Sequence, residues 1–132
     1  MKRKDVIYIF SGELQSNDSY QNAIATAWIE SYLQVRGVPH SVVIGSYKGA
    51  TERSFLVVGQ QFEELVLEVA SMFKQESILK SYSDRETFLK FLDTSKQDEV
   101  SIGKLMAVDE SEAKGLDAWT FCPKLNQYFT TK

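Results

Sequence analysis

The segment from Gly45 to Gly59 constrains this chain most, because two β-rich runs meet there with little room between them. Val42, Val43 and Ile44 lead into it, and Phe55, Leu56, Val57 and Val58 close it. β-Branched and aromatic residues favour an extended, half-buried backbone. Gly45 and Gly49 supply the dihedral freedom of a tight connection. The two runs are therefore expected to pair as an antiparallel hairpin. The junction also carries a phenol, Tyr47, and a carboxylate, Glu52. Strands hold the backbone there while side chains at the turn can reach a ligand. Taken alone, the segment reads first as a plain hairpin with an exposed glutamate and a half-buried tyrosine.

Reading outward from the junction, Val6 to Phe10 is a first strand and Ser11 to Ser19 a polar loop. Asp18 or Ser19 caps a helix running to about Arg36, stopped by Gly37 and Pro39. Tyr20, Ile24, Ala27, Trp28, Ser31 and Val35 recur at helical spacing and are expected to form its inner face. His40 to Ser46 and Arg53 to Val58 are strands 2 and 3. Gln60 to Lys74 is a second helix, with Phe62, Leu65, Val66, Val69, Met72 and Phe73 inward and Glu63, Glu64 and Glu68 solvated. Gln75 to Tyr82 enters strand 4. Ser83-Asp-Arg-Glu86 has the form of a capping box, which predicts a short helix carrying Phe88, Leu89, Phe91 and Leu92. Thr94 to Glu99 is a polar loop. Val100 to Val108 is a strand with a bulge near Gly103, and Asp109 to Asp117 a loop or single helical turn. Ala118 to Cys122 and Tyr128 to Thr131 form a closing hairpin.

This order, strand-helix-strand-strand-helix-strand with a C-terminal β extension, predicts an α/β fold of one domain over residues 1–132. The expected form is a ferredoxin-like sandwich, an antiparallel sheet with two main helices on one face. The uncovered sheet face would then be an oligomer interface, with Val43, Phe55, Val57 and Ile78 available for it.

Several chemistries are argued against. The net charge is −3 and the pI about 5.2, so a nucleic-acid partner is not signalled. No apolar run approaches the roughly 20 residues of a membrane span, and the basic start leads into a strand, not a signal peptide. The single cysteine, Cys122, offers no intrachain disulfide and fits a reducing cytoplasm. With one histidine, His40, and no Cys-x-x-Cys or His-x-x-His spacing, neither a metal site nor a catalytic triad is expected. No glycine-rich phosphate or dinucleotide motif occurs, so no cofactor is expected. An enzyme built on this chain works with carboxylate, phenol, amide and shape.

Several features together resemble the bacteriophage S-adenosylmethionine lyases, long described as hydrolases. They are the apolar first strand, the Gly45-Ser-Tyr47 turn leading to Thr51-Glu52, the helix with Val69-Ala70, the run Gln75-Glu-Ser-Ile-Leu79, and the terminal Trp119-Thr-Phe-Cys-Pro and Tyr128-Phe-Thr. The resemblance implies a PII-like trimer with ligand sites between subunits. It implies cleavage of S-adenosylmethionine to 5′-methylthioadenosine and homoserine lactone, in a host bacterial cytoplasm, with a role in evading methylation-dependent restriction. Residue by residue, it assigns Glu52 as the essential carboxylate and Tyr47 and Gln75 as ligand-holding residues. The alternative is a non-catalytic PII-like protein that sequesters a nucleotide or nucleoside.

Overall fold

The computed structural model of the chain describes residues 5–92 and 99–132. Eight strands form one closed antiparallel barrel in the order β1-β3-β2-β7-β8-β6-β5-β4. They are β1 (Ile7–Phe10), β2 (His40–Tyr47), β3 (Ala50–Val58), β4 (Ser77–Ser81), β5 (Glu86–Phe91), β6 (Glu99–Val108), β7 (Ala118–Cys122) and β8 (Gln127–Thr131). Helix α1 (Ser19–Val35) joins β1 to β2, α2 (Glu63–Met72) joins β3 to β4, and α3 (Glu110–Lys114) precedes β7. This corrects the expected ferredoxin-like or PII-like sandwich: the sheet does not stop after four strands. β5 to β8 extend it until it meets itself. No helix among the described residues is long and apolar enough to cross a membrane.

Closure depends on strands that change partners along their length. The first half of β6 pairs with β5, and its second half, Leu105 to Val108, with β8. The register shifts opposite Thr87 and Phe88, and Gly103 adopts φ 106° there, the backbone region where a side chain is strained. Both termini of that turn of the wall are held, since Lys104 and Lys132 exchange backbone hydrogen bonds of 2.8 and 2.9 Å. The bulge near Gly103 and the terminal hairpin are as the sequence suggested.

The predicted helix after Ser83 is absent. Asp84 Oδ1 accepts the Glu86 N–H at 3.0 Å, Arg85 takes φ 75°, and the chain turns back as β5 against β4. A four-residue capping signal yields here to the pairing of Thr87, Phe88 and Leu89 with Ser81, Lys80 and Leu79. The polar loop expected from Thr94 lies outside the described residues, except Glu99, which opens β6.

The main core lies between the two long helices and one face of β1, β3 and β4. Tyr8, Phe10, Phe55, Val57 and Ile78 meet Ile29 and Leu33 of α1 and Val66, Val69 and Ala70 of α2. Phe55, Val57 and Ile78 are thus covered by helices and Val43 is fully buried, so none is free to form the expected interface. The inner face of α1 is also corrected. Ala25, Ile29 and Leu33 are buried, while Tyr20, Ile24, Trp28 and Val35 are exposed. The helix carries two apolar stripes, and the slimmer one faces inward because the chain passes close by at Gly12. A Cβ there would come within 2.7 Å of Ile29 Cδ1 and 3.2 Å of the Ala25 Cβ, leaving no space for an aromatic stripe.

One charged group predicted to be solvated, Glu63, is half-buried. Tyr8 OH donates to Glu63 Oε1 at 2.6 Å, and Lys80 Nζ, in an 8% exposed side chain, reaches Glu63 at 2.9 Å and Glu99 at 3.2 Å. Burial alone would raise the Glu63 pKa, but the hydrogen bonds from Tyr8 and Lys80 outweigh it and hold the carboxyl below its usual range.

Candidate active site

The site follows from a mismatch in strand length. β3 has nine residues, but β1 pairs only with Phe55 to Val58. Its first half, Ala50 to Ser54, is paired with β2 and leaves its other edge to the loop that follows β1. That loop docks by side chains. Ser11 Oγ donates to the Arg53 carbonyl at 2.7 Å and accepts the Glu13 N–H at 2.9 Å. Between loop, α1 and β3 lies a recess of about 360 Å³. Glu13, Ser19 and Asn22 line one side, and Ile44, Thr51, Glu52 and Arg53 the other.

Each predicted residue has a definite place. Glu52 lines the recess, not at the turn as expected but as the third residue of β3, opposite Gly45, because the reversal is a two-residue turn, Lys48-Gly49, at φ 51° and 86°. Burial and then the nearby Glu13 carboxylate push its pKa from 4.5 up to about 7. Tyr47 stands at the end of β2, 60% exposed and outside the recess, with Lys48 Nζ 5.3 Å from its ring centre. Gln75 follows Lys74, whose left-handed φ of 60° ends the turn after α2. Its Nε2 donates to the Glu13 carbonyl at 3.0 Å. The structure thus brings Glu52 and Gln75 to the same loop and leaves Tyr47 apart.

Sequence reasoning missed Glu13, Asn22 and Arg53. Glu13 Oε2 lies 2.9 Å from Arg53 Nε and accepts from Thr26 Oγ1 at 3.2 Å. Nothing in local sequence joins residues 13, 26, 53 and 75; strand pairing does. The one available signal was Arg53 next to Glu52 in the chain, an opposite charge beside the carboxylate. His40 is elsewhere. Its ring nitrogens face the Val38 carbonyl and Glu30 Oε2, each at 2.8 Å. Among the described residues no three His, Cys, Asp or Glu side chains converge where a metal ion could sit.

A half-buried carboxylate beside a second one, with one guanidinium opposite, suits a small molecule with more positive than negative centres. It holds no nucleophile or base of the triad type. The family model for S-adenosylmethionine lyases matches residues 8–132, nearly the whole chain. No curated protein matches it. The substrate of that family is a sulfonium that also bears an ammonium and a carboxylate, the charge pattern the recess favours. On the extent of that match, the chain belongs to the S-adenosylmethionine lyase family and is an S-adenosylmethionine lyase.

Proposed function

We propose that the enzyme cleaves S-adenosylmethionine to 5′-methylthioadenosine and L-homoserine lactone at the Glu52 recess. The substrate carboxylate attacks its own γ-carbon, the carbon–sulfur bond breaks, and sulfur keeps the electron pair. Nucleophile and leaving group are both supplied by the substrate, so no base and no activated water takes part. The protein's contribution is to fold the substrate into line and hold it. Carboxylate and sulfonium neutralise each other as the ring closes, so a drier site favours the transition state. The observation that carries this reading is Glu52, a carboxylate kept partly desolvated beside Glu13. A cation entering the recess relieves that repulsion, and Glu52 then holds the ammonium or sulfonium end.

The recess is open, and α1 beside it exposes Tyr20, Ile24 and Trp28 in one stripe. We read this stripe as a subunit contact in a homo-oligomer, a trimer by the resemblance, that closes the site. Depletion of S-adenosylmethionine in a bacterial cytoplasm would deny methylation-dependent restriction its donor, which is the phage role the resemblance suggests. Incubation with S-adenosylmethionine followed by chromatography tests the reaction. Methylthioadenosine and homoserine lactone in equal amounts are expected. Ligand recovered intact from the protein would instead support sequestration.

A further inference from the structure

Residues 13 and 14 are held more firmly than an irregular loop requires. The Glu13 N–H is bonded by Ser11, and the Glu13 carbonyl by Gln75. Asn22 accepts the Leu14 N–H at 2.9 Å and donates to the Leu14 carbonyl at 3.0 Å. Surface loops ordinarily leave such groups to water. Here three side chains, from the end of β1, from α1 and from the joint between α2 and β4, converge on two residues. What they fix is the Glu13 carboxylate, whose side chain is 10% exposed at the recess wall. Its cationic partner, Arg53, is 46% exposed.

We propose that Glu13 is a second substrate-contacting carboxylate, which with Glu52 recognises the sulfonium substrate, and that Gln75 is a positioning residue acting through the Glu13 carbonyl. This rests on the lyase reading of the recess. S-Adenosylmethionine offers an ammonium, a sulfonium and a carboxylate; Glu13, Glu52 and Arg53 offer the opposite three charges. Without ligand the two carboxylates oppose each other, and the sulfonium relieves that opposition. The uncharged thioether S-adenosylhomocysteine lacks only the sulfur-bound methyl group and with it the sulfonium charge, so two carboxylates discriminate against it where one polar contact would not. Arg53, 2.9 Å from Glu13, is shared between that carboxylate and the substrate's. A guanidinium given wholly to the substrate carboxylate would weaken the nucleophile, and that sharing prevents it.

The test uses the full-length protein in steady-state assays with S-adenosylmethionine, and S-adenosylhomocysteine as competing inhibitor. Glu13→Gln is expected to raise KM by roughly 10-fold or more while kcat changes less, which marks lost binding. Affinity for the thioether should change little, so discrimination falls about as far as KM rises. Glu13→Asp keeps the charge and should keep the discrimination. The charged groups lining the recess are Glu13 from the loop and Glu52 and Arg53 from β3; α1 and β2 add Ser19, Asn22 and Ile44. Removing the Glu13 charge should therefore move the acid limb of the kcat/KM profile to lower pH. Gln75→Ala should weaken substrate binding in the wild type and add little to Glu13→Gln. If Glu13→Gln weakens substrate and thioether equally, Glu13 is structural and the proposal falls. Full additivity of Gln75→Ala overturns the positioning role. A wild-type protein that leaves S-adenosylmethionine intact overturns the lyase reading and this with it; an active wild type with an indifferent Glu13→Gln overturns this alone.

Discussion

Replacing Glu52 with glutamine should make the unliganded protein more stable at alkaline pH while removing its activity. The Glu52 carboxyl is neutral in both folded and unfolded chains below about 4.5 and costs folding nothing there. Because its pKa in the fold is raised, to about 7, the unfolded chain ionises first as pH rises. Folding loses stability from 4.5 upward, and the loss is complete above 7. The difference from 4.5 to about 7 corresponds to at most about 3 kcal/mol. Glu52 is only half-buried, and solvent screening reduces that to about 1–2 kcal/mol. Glu52→Gln keeps the shape and removes the charge. At pH 8 its unfolding midpoint should exceed the wild type's by about 4–8 °C for a domain of this size; at pH 5 the gap should nearly close. Turnover should fall on the order of 10²-fold or more. Calorimetry or urea titration at both pH values measures the first effect. A variant no more stable than wild type at pH 8, or a gap equal at both pH values, would refute the desolvation argument.

Other perturbations probe the frame around the site. Lys80→Met leaves Glu63 and Glu99 without their shared cation and should cost about 3–5 kcal/mol in urea unfolding; a neutral result would mean the network is solvated. Gly103→Ala combines a φ of 106° with a Cβ pressed on the Lys132 carbonyl. It should cost about 2 kcal/mol or more by loosening barrel closure, and equal stability would count against the bulge geometry. Ile24→Glu, on the exposed stripe of α1, should dissociate the proposed oligomer in sedimentation with little change in subunit folding; an unchanged sedimentation coefficient would overturn the reading of that stripe as a subunit contact.

What the sequence revealed and what it concealed divide along the range of the interactions. The hairpin of β2 and β3 was legible because the β-rich runs flank two glycines, and the first helix because Asp18 caps it, accepting the Gln21 N–H at 2.7 Å. The buried face of that helix was not. Size favoured the Trp28 stripe, whereas the close passage at Gly12 selected Ala25, Ile29 and Leu33. Barrel closure was hidden for a similar reason. It depends on β6 exchanging β5 for β8 midway, and no local pattern encodes a change of partner. Glu52 stood out as a carboxylate at a strand junction. Its companion Glu13 lies 39 positions earlier in an unpatterned loop, and only the shortness of β1 brings the two together.

The origin of one oxygen atom tests the central claim most directly. The reaction should be run in water labelled with heavy oxygen and the homoserine fragment examined by mass spectrometry. Intramolecular attack predicts a lactone free of solvent oxygen. If the lactone later opens, the label should enter the carboxyl group alone, with the γ-hydroxyl oxygen still that of the substrate carboxylate. Label in the γ-hydroxyl would mean that water attacked the γ-carbon. It would contradict a site that works by folding and holding its substrate.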